Sequence, residues 1–383
     1  MKIILLSTFY KPSVGGVERQ VEEIFLNLKK RNIDVQVYTT DASHGSSNRL
    51  KKTEKEHSVK RFSYLFGFGY FFRFSPLLVL NLLFADFDII HVHNSHDAHL
   101  LPVILIKLLR RKRLVITGHN PYVVDESKRK VNLSKGVRFF DSVLRLFAFT
   151  IDSYIALLNS EKEFVSNYLK INPNKIAVIP NGIRDDYFNE VKELDSSNIF
   201  VTEYKIDKSK YKLVLGCLCR MDYVKGIQNL QQAVKENSDC LFIFAGGDGG
   251  YLKDLKELYS GCSNVVFTEK YINVEDSLSF YAFIDVFLLP SVYEPFGITI
   301  VEAMTQGKYI LATSKGGAKE IIDNGFGKII DPQNYQEWSS EIEKIKSKKE
   351  EYTVSGKKGI TDSFKYKWAK VIDNLIDEYK KVL

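Results

Sequence analysis

The sequence predicts an α/β protein of two Rossmann-like domains facing each other across a cleft, and three observations carry that expectation. The chain has 383 residues, more than one ordinary core accommodates, with the 45% hydrophobic and 26% charged content of a soluble globular protein. Short apolar strands alternate with longer helical stretches almost throughout, the rhythm of βαβ units on a parallel sheet. That rhythm breaks once, over the polar, acidic run at 184–210, and then restarts.

Taken in order, KIILLSTFY reads as a strand and VERQVEEIFLNLKKR as the amphipathic helix after it. DVQVYTT, DIIHVH, RLVITGH, SYIALL and KIAVIPN follow as strands. Residues 64–84, YLFGFGYFFRFSPLLVLNLLF, are long enough to suggest a membrane span. Arg73, Ser75, Pro76 and Asn81 interrupt them and a strand follows at once, so a partly buried loop and helix are expected. Beyond the acidic run come YKLVLGCLC, CLFIFAGG, NVVFTEKY, DVFLLPS and YILATS. The expected domains are 1–183 and 211–362, joined by a linker at 184–210, with a last helix at 363–383 that could pack on either. Ligands of such sheets bind outside the strand carboxyl ends.

Met1 leads into KIILLST, too short and too abruptly ended for a signal segment, so a cytoplasmic protein is expected. The four cysteines lack the spacing of a metal site and read as buried free thiols, which makes the sequon at Asn132 incidental. The net charge of +7 is uneven: 28 Lys and Arg stand against 19 Asp and Glu through residue 190, and 26 against 28 thereafter.

Five stretches could carry chemistry. Gly15-Gly16 opens the first helix, where backbone can approach a ligand and free N–H groups favour an anion. Arg220 and Lys225, five apart after a strand, suit a diphosphate, Arg as a fork and Lys as a point charge; solvated surface cations are the alternative. Gly246 to Gly250 forms a flexible turn after another strand and could line a phosphate or base pocket. In SVYEPFGITIVEAM, Glu294 precedes a Pro-Phe-Gly turn and Glu302 lies eight residues on, in an apolar helix whose N-terminus can hold an anion. Side chains lean toward a helix N-terminus, so both carboxylates flank one mouth, and each could accept protons from a vicinal diol. Lastly, His91, His93, His96 and His119 sit near strand ends; satisfied core or cleft histidines are favoured over a metal site, and His119 is the one placed where cleft residues sit. The Asp-Phe-Asp at 86–88 starts a strand, at the wrong end for a ligand, and reads as a solvated turn.

In this order GGVER, DIIHVH, the His of TGHN, PNGI, RMDYVKG, AGGDG, PSVYEPFGITIVEA and GGAKEII resemble the retaining GT-B-fold glycosyltransferases of family four, over nearly the whole chain. The resemblance implies that Arg220 and Lys225 bind a donor diphosphate, with Gly15 and Gly16 giving backbone access to it. It implies that Glu302 holds the ribose, and Glu294 the transferred sugar, with backbone N–H groups of Phe296, Gly297 and Ile298. His119 would contact the donor sugar, and the base would lie near Lys270, Tyr271 and Ile272. The chain departs from the pattern at Cys219, Arg184, Glu269 and Tyr309, the last two bearing on donor identity.

The implied reaction is metal-independent hexosyl transfer with retention, from a nucleotide-diphosphate sugar, a UDP-sugar foremost, to a hydroxyl of a lipid-linked or cell-envelope polysaccharide acceptor. Attack on the leaving group's face is favoured over a covalent step through Glu294. The basic stretches at 49–61, 107–113 and 128–138, with aromatics between Tyr64 and Phe74, leave two readings open: peripheral attachment to an anionic membrane surface, or a merely solvated basic face. A nucleotide-sugar epimerase of the same fold and a non-catalytic sugar-nucleotide scaffold are the rival functions. No nucleic-acid-binding module appears.

Overall fold

A computed structural model describes all residues except 14, 44–48, 51–57, 69–71, 120–134, 192 and 323–324. It divides the chain into two units, one formed by 1–182 with 368–383, the other by 183–367.

In the first unit, β1 (Lys2–Ser7), β2 (Asp34–Thr40) and β3 (Val59–Phe62) are followed by a small antiparallel hairpin, β4 (Phe66–Phe68) and β5 (Phe72–Phe74). Then come β6 (Ile89–His93), β7 (Arg113–Thr117), β8 (Ser153–Ala156) and β9 (Ile176–Val178). The sheet is parallel, in the order β3-β2-β1-β6-β7-β8-β9. The strand order reverses between β1 and β6, which makes their carboxyl ends the switch point of a doubly wound sheet. Strands such as KIILLS are buried beyond their first residue because helices cover both faces. Helix α1 (Gly16–Lys30) turns Val21, Ile24, Phe25 and Leu28 inward at helical spacing. The 64–84 stretch resolves into the hairpin and α2 (Pro76–Phe84), capped by Ser75. Among the described residues no helix is long and apolar enough to cross a membrane. Further helices are α3 (Leu100–Arg110), α4 (Lys135–Phe147) and α5 (Asn159–Leu169). At the amino end of the sheet, Asp88 accepts a hydrogen bond from the Lys2 backbone N–H (2.8 Å) and Asp86 pairs with the Lys2 side chain.

The second unit repeats the plan with β10 (Leu213–Leu218), β11 (Cys240–Ala245), β12 (Val265–Phe267), β13 (Val286–Leu289), β14 (Tyr309–Thr313) and β15 (Gly327–Ile330). Its parallel order is β12-β11-β10-β13-β14-β15, with the switch point between β10 and β13. The run expected as a linker belongs to this unit. Its helix α6 (Ile199–Thr202) buries Phe200 against Phe280 and Phe283 of α9 (Val274–Phe283), and Asn198 donates to the Ser279 carbonyl (2.8 Å). Helices α7 (Gln231–Glu236), α8 (Leu252–Leu258), α10 (Ile298–Thr305), α11 (Ala318–Ile321), α12 (Tyr335–Ser347) and α13 (Lys349–Ser363) complete it.

The chain does not end in one helix from 363. A break at 364–367 precedes α14 (Trp368–Val382), which belongs to the first unit. Trp368, Val371, Ile372, Leu375 and Tyr379 form its buried stripe and share a core with β1 and α1.

Candidate functional site

The chemistry-bearing residues of the second unit rise from the carboxyl ends of its strands. After β10 the chain turns through Arg220–Gly226. Asp222 shapes that turn: its carboxylate accepts from the Lys225 backbone N–H (3.2 Å) and from Arg220 Nε and Nη2 (both 3.1 Å). The half-exposed Arg220 is thereby aimed by a neighbour two residues on. The next loop, after β13, is stitched to this one by the Val292 N–H donating to the Val224 carbonyl (2.8 Å). Gly226 makes the approach feasible: its φ is +72°, and a Cβ there would stand 2.0 Å from the Pro290 carbonyl oxygen.

This stitching sets the central contact. Lys225 Nζ lies 2.9 Å from Glu294 Oε2, which also accepts from Ser291 Oγ (3.2 Å). The Glu294 side chain is only 10% exposed. Burial alone would lower the Lys225 pKa, but Glu294, Cys219 and Asp222 outweigh it and hold the ammonium charged beyond its ordinary range. The Glu294 backbone is fixed by the loop after β14: its N–H donates to the Lys315 carbonyl (3.0 Å) and its carbonyl accepts from the Gly317 N–H (2.8 Å). Three βα loops therefore hold one cation–carboxylate pair at the switch point of the sheet.

Helix α10 starts beside this pair. Gly297, at φ +92°, is its N-cap and no side chain caps it, so the helix presents its N-terminal N–H groups and positive dipole end to a ligand. Phe296 is buried edge-on against Tyr366. Ile298 opens the helix, and Glu302, one turn in, is 6% exposed and accepts from the Tyr281 hydroxyl of α9 (2.9 Å). After β12, Lys270 pairs with Glu203 (2.7 Å), Tyr271 is exposed and Ile272 is buried; a Cβ on Gly247 would meet the Tyr271 nitrogen at 3.5 Å, so this loop adjoins the glycine turn after β11.

In the first unit, Gly15 caps α1 and Gly16 begins it, just beyond the carboxyl end of β1. The Glu18 carboxylate folds back over them, 2.1 Å from where a Gly15 Cβ would stand. His119, just past β7, has a left-handed backbone (φ +56°). Its Nε2 lies 2.9 Å from His93 Nδ1. The His93 ring packs 4.0 Å from His91, whose Nδ1 meets the Tyr379 hydroxyl (2.6 Å) and whose Nε2 meets Thr117 Oγ1 (2.7 Å). Burial lowers the pKa of all three imidazoles, His91 to about 3, His119 to about 4 and His93 well below its ordinary value. Among the described residues no cluster of His, Cys, Asp and Glu has the form of a metal site.

Two family profiles match the chain, Glycosyltransferase Family 4 over 14–187 and Glycosyl transferases group 1 over 202–362. The chain belongs to the group 1 glycosyltransferases, with the GT-B fold. An uncharacterised glycosyltransferase of Methanocaldococcus jannaschii is 24% identical over 100% of this chain and 98% of its own. The alpha-monoglucosyldiacylglycerol synthase of Streptococcus pneumoniae is 26% identical over 85% and 74%. Among solved structures, Anabaena HepE in complex with UDP superposes with a TM-score of 0.78 at 20% identity, over all of both chains.

In this glycosyltransferase, the second-unit residues singled out from sequence all lie on loops or a helix at one edge of one sheet, with Lys225 and Glu294 in direct contact. Gly15, Gly16 and His119 lie at the corresponding edge of the first sheet. Sequence reasoning gave no role to the residues that hold these in place: Asp222 under Arg220, Ser291 and the Gly316-Gly317 loop around Glu294, and Tyr281 under Glu302, while His93, behind His119, is one of the histidines it expected as satisfied core or cleft residues. Asp222 and Ser291 were legible as polar neighbours in their motifs. Tyr281 was not, because it comes from a helix 21 residues upstream. Asn120, the sequon at 132–134 and parts of the basic stretches at 49–61 and 128–138 lie outside the described residues.

Proposed function

We propose that this glycosyltransferase transfers a hexose from a nucleotide-diphosphate sugar, a UDP-sugar foremost, to a hydroxyl of a lipid-linked or cell-envelope polysaccharide acceptor, with retention of anomeric configuration. The observation that carries the reading is the part-buried Lys225–Glu294 pair at the switch point, beside the uncapped N-terminus of α10. A leaving diphosphate gains negative charge as the glycosidic bond breaks. Arg220, Lys225 and the helix dipole would meet that charge with fixed positive groups, so activity is expected to persist in EDTA. Glu294 then takes the hydroxyls of the transferred sugar and Glu302 those of the ribose. Lys270, Tyr271 and Ile272 flank the base. His119, kept neutral by burial, contacts the donor sugar, and Gly15 and Gly16 allow the backbone near the phosphates. The acceptor proton passes to a donor phosphate oxygen on the face the leaving group vacates.

The acceptor class draws on relatives named for glycolipid synthesis and on the surface of the first unit. Leu77, Leu80 and Phe84 of α2, Leu109 of α3 and Phe149 are exposed, and Lys112 and Arg111 follow α3. Exposed apolar groups beside cations suit an anionic membrane surface, at about 1 kcal/mol per cation. The protein would then work at the inner face of the cell membrane.

Thermal-shift screening with UDP-, GDP- and ADP-sugars identifies the donor. A sugar nucleotide at 100 times its dissociation constant stabilises the fold by about 2.7 kcal/mol. Product NMR from the donor so found gives the anomer. An inverted product rejects retention, and isomerised sugar nucleotide without an acceptor rejects transfer. Co-sedimentation with anionic vesicles at low salt tests attachment; protein left in the supernatant refutes it.

A further inference from the structure

The histidines of the first unit contain one atom that does not fit a passive core. His93 Nε2 is buried and has no hydrogen-bond partner among the described residues, while His93 Nδ1 is 2.9 Å from His119 Nε2. A neutral imidazole has one donor and one acceptor nitrogen. If Nε2 of His93 carried the proton, an N–H would be buried without an acceptor, which folded proteins almost never tolerate. If Nδ1 carries it, the orphan is a lone pair, His93 donates to His119 Nε2, and the proton of His119 must sit on its own Nδ1. The left-handed backbone of His119 fixes where that ring leaves the chain. His91 closes the other side of the stack, held at both nitrogens by Tyr379 and Thr117.

We propose that His93 is a positioning residue that locks His119 into its Nδ1–H tautomer, so that His119 meets the sugar nucleotide as a hydrogen-bond donor and not as a base. This deepens the donor-sugar role given to His119 and rests on it. A fixed donor suits an oxygen that gains negative charge or must be held in register as the glycosidic bond breaks. It also excludes proton abstraction through Nδ1, consistent with the acceptor proton going to a phosphate oxygen. Both rings stay neutral well below physiological pH, so the assignment holds across the working range.

The full-length protein with ¹⁵N-labelled histidine tests this directly. Two-bond ¹H–¹⁵N spectra are expected to show His119 protonated at Nδ1 in the wild type and in His93→Asn, whose amide N–H takes the position of the imidazole Nδ1–H. In His93→Phe the donated bond is absent and the Nε2–H form of His119 should appear. With UDP-glucose, or whichever sugar nucleotide the wild type turns over, His93→Phe should lose about ten-fold or more in kcat with the donor KM nearly unchanged, as expected when the wrong tautomer removes a transition-state contact. His93→Asn should restore most of it. A wild-type His119 found as Nε2–H overturns the proposal, as does an Asn variant as slow as the Phe variant. A wild type inert toward every sugar nucleotide would instead sink the functional reading, while the spectra would still decide the tautomer.

Discussion

Glu294 is the nearest opposite charge to the part-buried Lys225, and removing Lys225 leaves the nearly buried Glu294 carboxylate without its cation. Lys225→Ala and Glu294→Ala are each expected to lose at least about 3 kcal/mol of transition-state stabilisation, read as kcat/KM. Because they share one contact, the double variant should fall well short of the sum. Near-wild-type turnover in either single variant, with the right donor and acceptor, removes them from the mechanism. The histidines give a prediction in pH. The folded-state pKa of His119 is about 4, against about 6.5 when unfolded, so the folded state binds fewer protons between those values. Its stabilising contribution is complete above about pH 6.5 and is lost as pH falls toward 4. At pH 5 the loss is about 2 kcal/mol for this residue. Denaturant midpoints followed from pH 8 to 5 should drop, and His119→Asn, which cannot titrate, should drop less. Equal slopes would mean that the ring takes up its proton without unfolding.

At the level of elements, the site is a matter of loops pressed together closely enough for one pair to form. Gly226→Ala places a Cβ 2.0 Å from the Pro290 oxygen, at a backbone φ of +72° that alanine disfavours. The β10 and β13 loops must then separate, and Lys225 with them. The expected result is a loss of about 1–3 kcal/mol in stability together with reduced activity. Gly261→Ala is the control: nothing lies within 4 Å of its Cβ position, and it should stay within about 0.5 kcal/mol of wild type. Chemical denaturation and kcat/KM on both variants check this, and equal behaviour would show that the loop contact is dispensable. These elements were legible in sequence to different depths. The strands announced themselves as apolar runs because parallel strands are buried on both faces. RMDYVKG and EPFG stood out because a strand ending in Gly, Arg, Lys or Glu needs a reason. The contact between them did not stand out, since it depends on β10 and β13 being neighbours although two strands and three helices separate them in the chain. The acidic run at 184–210 was misjudged as a linker on polarity alone; Phe200, its one fully buried aromatic ring, ties it to α9.

On the scale of the whole molecule, each unit has its own sheet, switch point and core, but the chain leaves the second unit to complete the first with α14. Sequence predicted a last helix and not its destination, because the apolar residues Trp368, Val371, Ile372, Leu375 and Tyr379 would suit any apolar groove. The structure gives the stripe two polar anchors as well: the Tyr379 hydroxyl on His91, and Glu378, which accepts from Ser153 Oγ (2.7 Å). Burying five large side chains at about 1.5–3 kcal/mol each contributes roughly 10 kcal/mol, as much as the net stability of a typical domain. Truncation after Lys367 is therefore expected to unfold the first unit while sparing the second, whose core lacks α14. Hydrogen exchange should lose protection across β1, β6 and β7 and keep it across β10, β11 and β13. The truncated protein should still be stabilised by the donor nucleotide, since Arg220, Lys225, Glu294 and Glu302 remain on a folded sheet, but it should not transfer sugar. Protection lost equally in both sheets would show that they fold as one cooperative body, and protection kept in both would show that α14 is an accessory helix.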